Sequence, residues 1–86
     1  MPQAHMRHAT LETLQEIELL LEELRSVPGL VEKRPGIFYR RSKAFLHFHE
    51  DPSGLHADVR FGEEFERVRA ETDVDREALL ARIRAV

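Results

Sequence analysis

The chain has no cysteine and no tryptophan, and only four glycines and four prolines among 86 residues. Without cysteine there is no disulfide framework, no thiolate metal site and no redox pair, and the composition suits a reducing cytosol. No apolar run approaches the roughly 20 residues of a membrane span, and the N-terminus lacks the apolar core of a secretory signal. The expected compartment is therefore cytoplasmic. Basic charge is short as well. Thirteen Lys and Arg stand against 16 Asp and Glu, for a net charge of −3, whereas generic nucleic-acid affinity needs a basic surface. A Ser/His/Asp triad and a phosphate loop are not recognisable, so no catalytic residue is named and the reading leans away from an enzyme.

What remains is periodicity. Residues 1–9 read as a flexible, polar tail in which His5 and His8 are solvated, binding metal at most adventitiously. Residues 10–86 read as a single domain. Leu11, Leu14, Ile17, Leu20, Leu21 and Leu24 recur at spacings of three and four, which predicts a helix over Thr10–Ser26 with an apolar stripe. Thr10 is the expected N-cap, with Thr13 and Glu16 as an alternative capping box. Pro28-Gly29 ends the helix. Leu30–Arg34 offers a short strand and Ile37–Arg40 a second one. Phe65–Thr72 carries signals of both helix and strand, and alternation favours the strand. Asp73–Ala85 is the closing helix, capped by Thr72 or Asp73. The predicted fold class is α+β in the order α-β-β-β-β-α. It is an antiparallel sheet of about four strands with an N-terminal and a C-terminal helix on one face.

The chemistry gathers in Lys43–Phe61, which holds three of the five histidines. It reads as a hairpin around Asp51-Pro52-Ser53-Gly54, whose residue preferences are those of a type I turn. Side chains alternate along a strand. Ala44, Leu46 and Phe48 therefore share a face with Leu55, Ala57, Val59 and Phe61. Phe45, His47 and His49 share the other with His56, Asp58 and Arg60. If Glu50 pairs with Leu55, then His49 faces His56 and His47 faces Asp58. A bulge at Gly54 would slip the pairing by one residue and mix the faces. The hydrophobic pattern favours the unslipped register. With Arg41-Ser42 as a two-residue turn, Ile37 is expected opposite Leu46 and Phe38 opposite Phe45. Phe38, Phe45 and Arg60 would then stand beside the imidazoles as ligand-binding neighbours.

Imidazole and carboxylate suit zinc and other first-row divalent metals, so His47, His49, His56 and Asp58 are the candidate metal ligands. An organic ligand or anion is the other occupant. Alternation alone places any H-x-H pair on one face, so a merely solvated polar face competes with both. Two further readings have different consequences. The histidine face could self-associate about a two-fold axis as a homodimer, sensitive to pH near roughly 6–7. The basic turn Arg40-Arg41-x-Lys43, with Arg60, Arg67 and Arg69, could touch phosphate or nucleic acid.

Pro28-Gly29, Phe38 and Lys43-Ala44-Phe45 followed by a hairpin resemble the MmcQ/YjbR-like family of small bacterial α+β proteins. That resemblance implies the α+β fold and DNA binding through paired wings. The acidic balance departs from a DNA binder. His47-x-His49 with Asp58-Val59-Arg60 also resembles the small domain described as luciferase-associated. The run F-L-H-F-H-E-D is similar to other small bacterial proteins without an assigned role. These resemblances carry a fold expectation and little function.

Overall fold

The computed structural model describes residues 7–86. His5, and with it residues 1–6 of the expected tail, lies outside the described residues. Arg7–His8 form a short strand β1. Two helical segments follow, α1 (Leu11–Glu16) and α2 (Glu18–Arg25). Strands β2 (Leu30–Arg34), β3 (Ile37–Arg40), β4 (Lys43–Asp51), β5 (Gly54–Val59) and β6 (Glu66–Arg69) precede α3 (Asp73–Arg84). The α+β class with an antiparallel sheet is as predicted. The strand count differs: five strands run in the order β2-β3-β4-β5-β6, and β1 pairs with β4 off this path. Leu30–Arg34 and Glu66–Arg69 are the edges. Each pairs on one side only, so its sequence pattern is weaker than that of a central strand.

The first helix is broken where the leucine period runs on. Ile17 ends α1 and starts α2 with φ −110° and ψ 25°. Its N–H reaches back only three residues, to Leu14 O at 3.2 Å. This tighter turn delivers Leu14, Ile17, Leu20, Leu21 and Leu24 together into the core. Thr10 caps α1 by accepting from Thr13 N at 3.2 Å. Thr72 caps α3 through a capping box with Asp75, a device worth about 1 kcal/mol.

The helices cover one face of the sheet. Leu46, Phe48, Leu55, Ala57 and Val59 pack there with the helix leucines, Leu79 and Ile83. Completely buried aliphatic or aromatic side chains such as Phe38, Leu46 and Val59 each contribute about 1.5–3 kcal/mol of burial. Gly36 closes the β2–β3 turn at φ +74°, and a Cβ there would meet Leu14 Cδ2 at 2.7 Å. That position therefore requires glycine on two counts. The β3–β4 turn takes left-handed φ at Arg41 (51°) and Ser42 (67°). Each costs about 1–3 kcal/mol without glycine or asparagine.

The β4–β5 register is the unslipped one: Glu50 pairs with Leu55, His49 with His56, Phe48 with Ala57 and His47 with Asp58. The β3–β4 register is not as expected. Phe38 pairs with Leu46, Ile37 with His47, and an irregularity falls between Phe38 and Tyr39. Phe45 is the extra residue of that bulge. The bulge lets Phe45 and Leu46 both be buried in succession, at 4% and 0% exposure. Two apolar side chains gain burial at the cost of one broken ladder step.

Candidate metal centre

Pairing fixes where the polar side chains emerge. Directly opposed residues project to the same face. His8, His49 and His56 form one row across β1, β4 and β5. Ile37, His47, Asp58 and Arg67 form the next row across β3 to β6. The rows lie side by side on the face that the helices leave uncovered.

Three of these side chains converge. His8, His47 and His49 each offer a ring nitrogen, and the three atoms lie within 4.8 Å of one another. Ring centroids are 4.9 Å apart for His8–His49, 4.6 Å for His47–His49 and 5.8 Å for His8–His47. Phe65 closes one side, tilted against His47 at 5.1 Å. A tetrahedral zinc with bonds of 2.0–2.1 Å needs its ligand atoms about 3.3–3.4 Å apart. The triad reaches that by closing its widest separation by up to about 1.4 Å, while the His47 Nδ1–His49 Nε2 contact of 2.6 Å opens slightly.

Asp58 stands behind the triad. Arg67 grips it with two hydrogen bonds, Nε to Oδ1 at 2.9 Å and Nη2 to Oδ2 at 3.1 Å. This Arg67 fork holds the Asp58 carboxyl below its usual range against the opposing effect of burial, and the Arg67, His49 and His47 charges add to it. His49 Nε2 lies 3.2 Å from Asp58 Oδ2. Burial pushes both His47 and His49 below the usual histidine range, and the Asp58 charge only partly restores them. Both rings are therefore neutral at neutral pH, the state in which imidazole ligates a metal. His49 Nε2 makes its closer contact with His47 Nδ1, at 2.6 Å. His49 Nδ1 is buried and, among the described residues, has no hydrogen-bond partner. A buried polar atom without a partner costs about 1–3 kcal/mol.

The four candidate ligands read from the sequence separate here. His47 and His49 join the cluster. Asp58 is adjacent but engaged by Arg67. His56 is beside His49 in the sheet, yet its ring turns to the hairpin end, with Nε2 3.0 Å from Ser53 Oγ and 3.5 Å from Asp51 Oδ1. His8 completes the cluster in its place. The expected neighbours are also redistributed. Phe38 lies in the core, opposite Leu46. Phe45 packs against Phe61 at 6.3 Å. Arg60 lies over Phe65 at 4.5 Å, with Nε on Ala44 O at 3.2 Å. Arg60 thus borders the cluster through Phe65 and does not reach the imidazoles.

The sequence reading puts His8 in a flexible, solvated tail, whereas the structure pairs it with His49 in a short strand. A two-residue strand has no period. What places it is the docking of the helix start on β4, through Ala9 N to Phe48 O at 3.1 Å and the Thr13 hydroxyl to Glu50.

Fold and site together define a small α+β domain with an antiparallel sheet and three clustered histidines on its uncovered face. No protein-family model, curated protein or solved structure shows a significant match to this chain. Among the described residues no helix is long and apolar enough to cross a membrane.

Proposed function

We propose that this protein is a small metal-binding module that takes zinc or a similar first-row divalent ion through His8, His47 and His49. The observation that carries this reading is the convergence of ring nitrogens from two strands within 4.8 Å, with burial keeping His47 and His49 unprotonated. Asp58 stands behind the set: its carboxylate lies 3.2 Å from His49 Nε2 and is itself held by Arg67. Three protein nitrogens leave a coordination position for water or a ligand. With Asp58 committed to Arg67, the reading is binding and not hydrolysis.

Calorimetric titration of tag-free, metal-stripped protein with zinc tests it. One equivalent should bind with micromolar or tighter affinity. His49→Ala and His8→Ala should each weaken binding at least about tenfold, as loss of one ligand implies. His56→Ala should leave it unchanged. Equal losses in all of these variants, or no binding in the wild type, would end the proposal.

A further inference from the structure

At the opposite end of β4 from the hairpin turn, a second site is built from the residues that the metal reading does not use. A cleft of about 260 Å³ is lined by Arg40, Arg41, Lys43, Arg60, Phe45 and Phe61. Its cations differ from most others in the molecule. Arg25, Arg67, Arg69, Arg76, Arg82 and Arg84 each have a carboxylate within 4 Å. Among the described residues, no carboxylate comes that close to Arg40, Arg41, Lys43 or Arg60, although the chain has 16 acidic residues. Like charges left together repel, and an arriving anion relieves that repulsion.

The side chains are also positioned. Arg60 is anchored by Nε to Ala44 O at 3.2 Å and Nη1 to Glu63 O at 3.4 Å. Both contacts are to carbonyls, and among the described residues no carboxylate lies within 4 Å of it. Arg40 lies 5.7 Å over the Phe45 ring. Arg41 and Ser42 hold left-handed backbone angles without glycine, a strain that fixes how the tip presents Arg41 and Lys43 around the cleft. Phe45 and Phe61 supply an apolar wall. Guanidinium forks match phosphate oxygens, and lysine adds a point charge.

We infer that the cleft between the β3–β4 turn and the segment after β5 binds a small phosphate ester. The phosphate would lie among Arg40, Arg41, Lys43 and Arg60, and the organic part against Phe45 and Phe61. The volume lies just below the roughly 300 Å³ at which pockets for drug-sized ligands begin. It suits a sugar phosphate or a mononucleotide better than a dinucleotide. Arg67 and Arg69, read from the sequence as part of one basic surface with this turn, are tied to Asp58 and Asp75. The charge is thus concentrated at one cleft and does not run along a strand-length track, which favours a compact ligand over a nucleic-acid chain.

The test is an amide chemical-shift titration of metal-free protein at low salt, with pyrophosphate, adenosine monophosphate and a single-stranded oligonucleotide as probes. Saturable shifts confined to residues 40–45 and 60–62 are expected with the first two. Lys43→Gln, an exposed change that should not disturb folding, and Arg60→Gln should each weaken binding by about tenfold, the loss of one charge-assisted contact. Arg34→Gln, which removes another cation that has no carboxylate within 4 Å among the described residues, and His49→Ala should not change it. That last variant separates this site from the metal centre. The inference is overturned by non-saturable shifts, by shifts of equal size around Lys33 and Arg34, by an unchanged affinity in Lys43→Gln, or by an oligonucleotide that binds more tightly than the mononucleotide.

Discussion

The two faces of the β4–β5 hairpin share one backbone and one register but obey different rules. On one face Leu46, Phe48, Leu55, Ala57 and Val59 are all buried beneath the helices. Their energy is area removed from water, roughly the same for any close-packed solution. On the other face His47, His49 and Asp58 are partly desolvated without an apolar partner layer. Their energy depends on protonation, on one arginine fork and on what binds. The first face sets the stability of the fold. The second holds one polar atom, His49 Nδ1, whose desolvation is left uncompensated among the described residues. A site of this kind is paid for by the core behind it.

The contrast breaks first on the buried face. Leu46→Ala should cost about 2–5 kcal/mol, measured by urea unfolding. For an 86-residue domain that is a large part of a stability of about 5–15 kcal/mol. A cost of a few tenths would mean that the core face is not packed as described. Next in size comes the metal. With zinc at about a hundred times its dissociation constant, unfolding should be raised by about 2.7 kcal/mol. His47→Ala should abolish this gain while leaving the metal-free fold intact. If His47→Ala and the wild type respond alike to zinc, the ion sits elsewhere.

Proton linkage gives a smaller effect with a definite sign. His47 and His49 have folded pKa values below the unfolded one. The unfolded chain therefore binds protons that the folded chain refuses as the pH drops. Metal-free stability should be fully present above about pH 6.5, the unfolded histidine value, and fall as the pH is lowered from there towards the folded pKa values. Asp58, held low chiefly by Arg67, adds a second loss at more acid pH, below the unfolded carboxylate value of about 3.9. His47→Gln with His49→Gln should flatten the first loss and spare the second. Leu46→Ala should lower the whole curve without changing its shape. A first loss of the same size in the double glutamine variant would assign it to other groups.

The smallest expected change is Arg67→Ala. The Arg67 side chain is 51% exposed, so its ion pair should contribute no more than about 1 kcal/mol to stability. Its effect on zinc affinity should be the more visible one, because Asp58 would lose the fork that orients it towards His49. Calorimetry of the variant would show this. An unchanged affinity would reduce Asp58 and Arg67 to neighbours of the metal centre.

The hairpin was readable because its apolar residues alternate strictly from Leu46 to Phe48 and from Leu55 to Val59, and because Asp51-Pro52-Ser53-Gly54 fits one turn. Period and turn chemistry agreed, so the cross-strand partners of His47 and His49 followed. The β3–β4 pairing was less readable. Arg41-Ser42 was identified as the turn, but a bulge at Phe45 shifted everything beyond it. Bulges answer to the burial of neighbouring side chains, which no strand pattern records. For the site, His47 and His49 were visible, whereas the departure of His56 towards Ser53 and the arrival of His8 were not. Rotamers and two-residue strands leave no periodic trace.

By itself the sequence determined the class of fold, the ends of the hairpin and the presence of imidazoles on its polar face. These follow from local propensities and from the period of two that every strand obeys. Tertiary structure alone decided which histidines meet, that Arg67 would take Asp58, and that Arg60 would join the cations of a turn some twenty residues earlier in the chain. Those outcomes depend on strand order and side-chain rotamers, which are settled only when elements distant in sequence pack against one another.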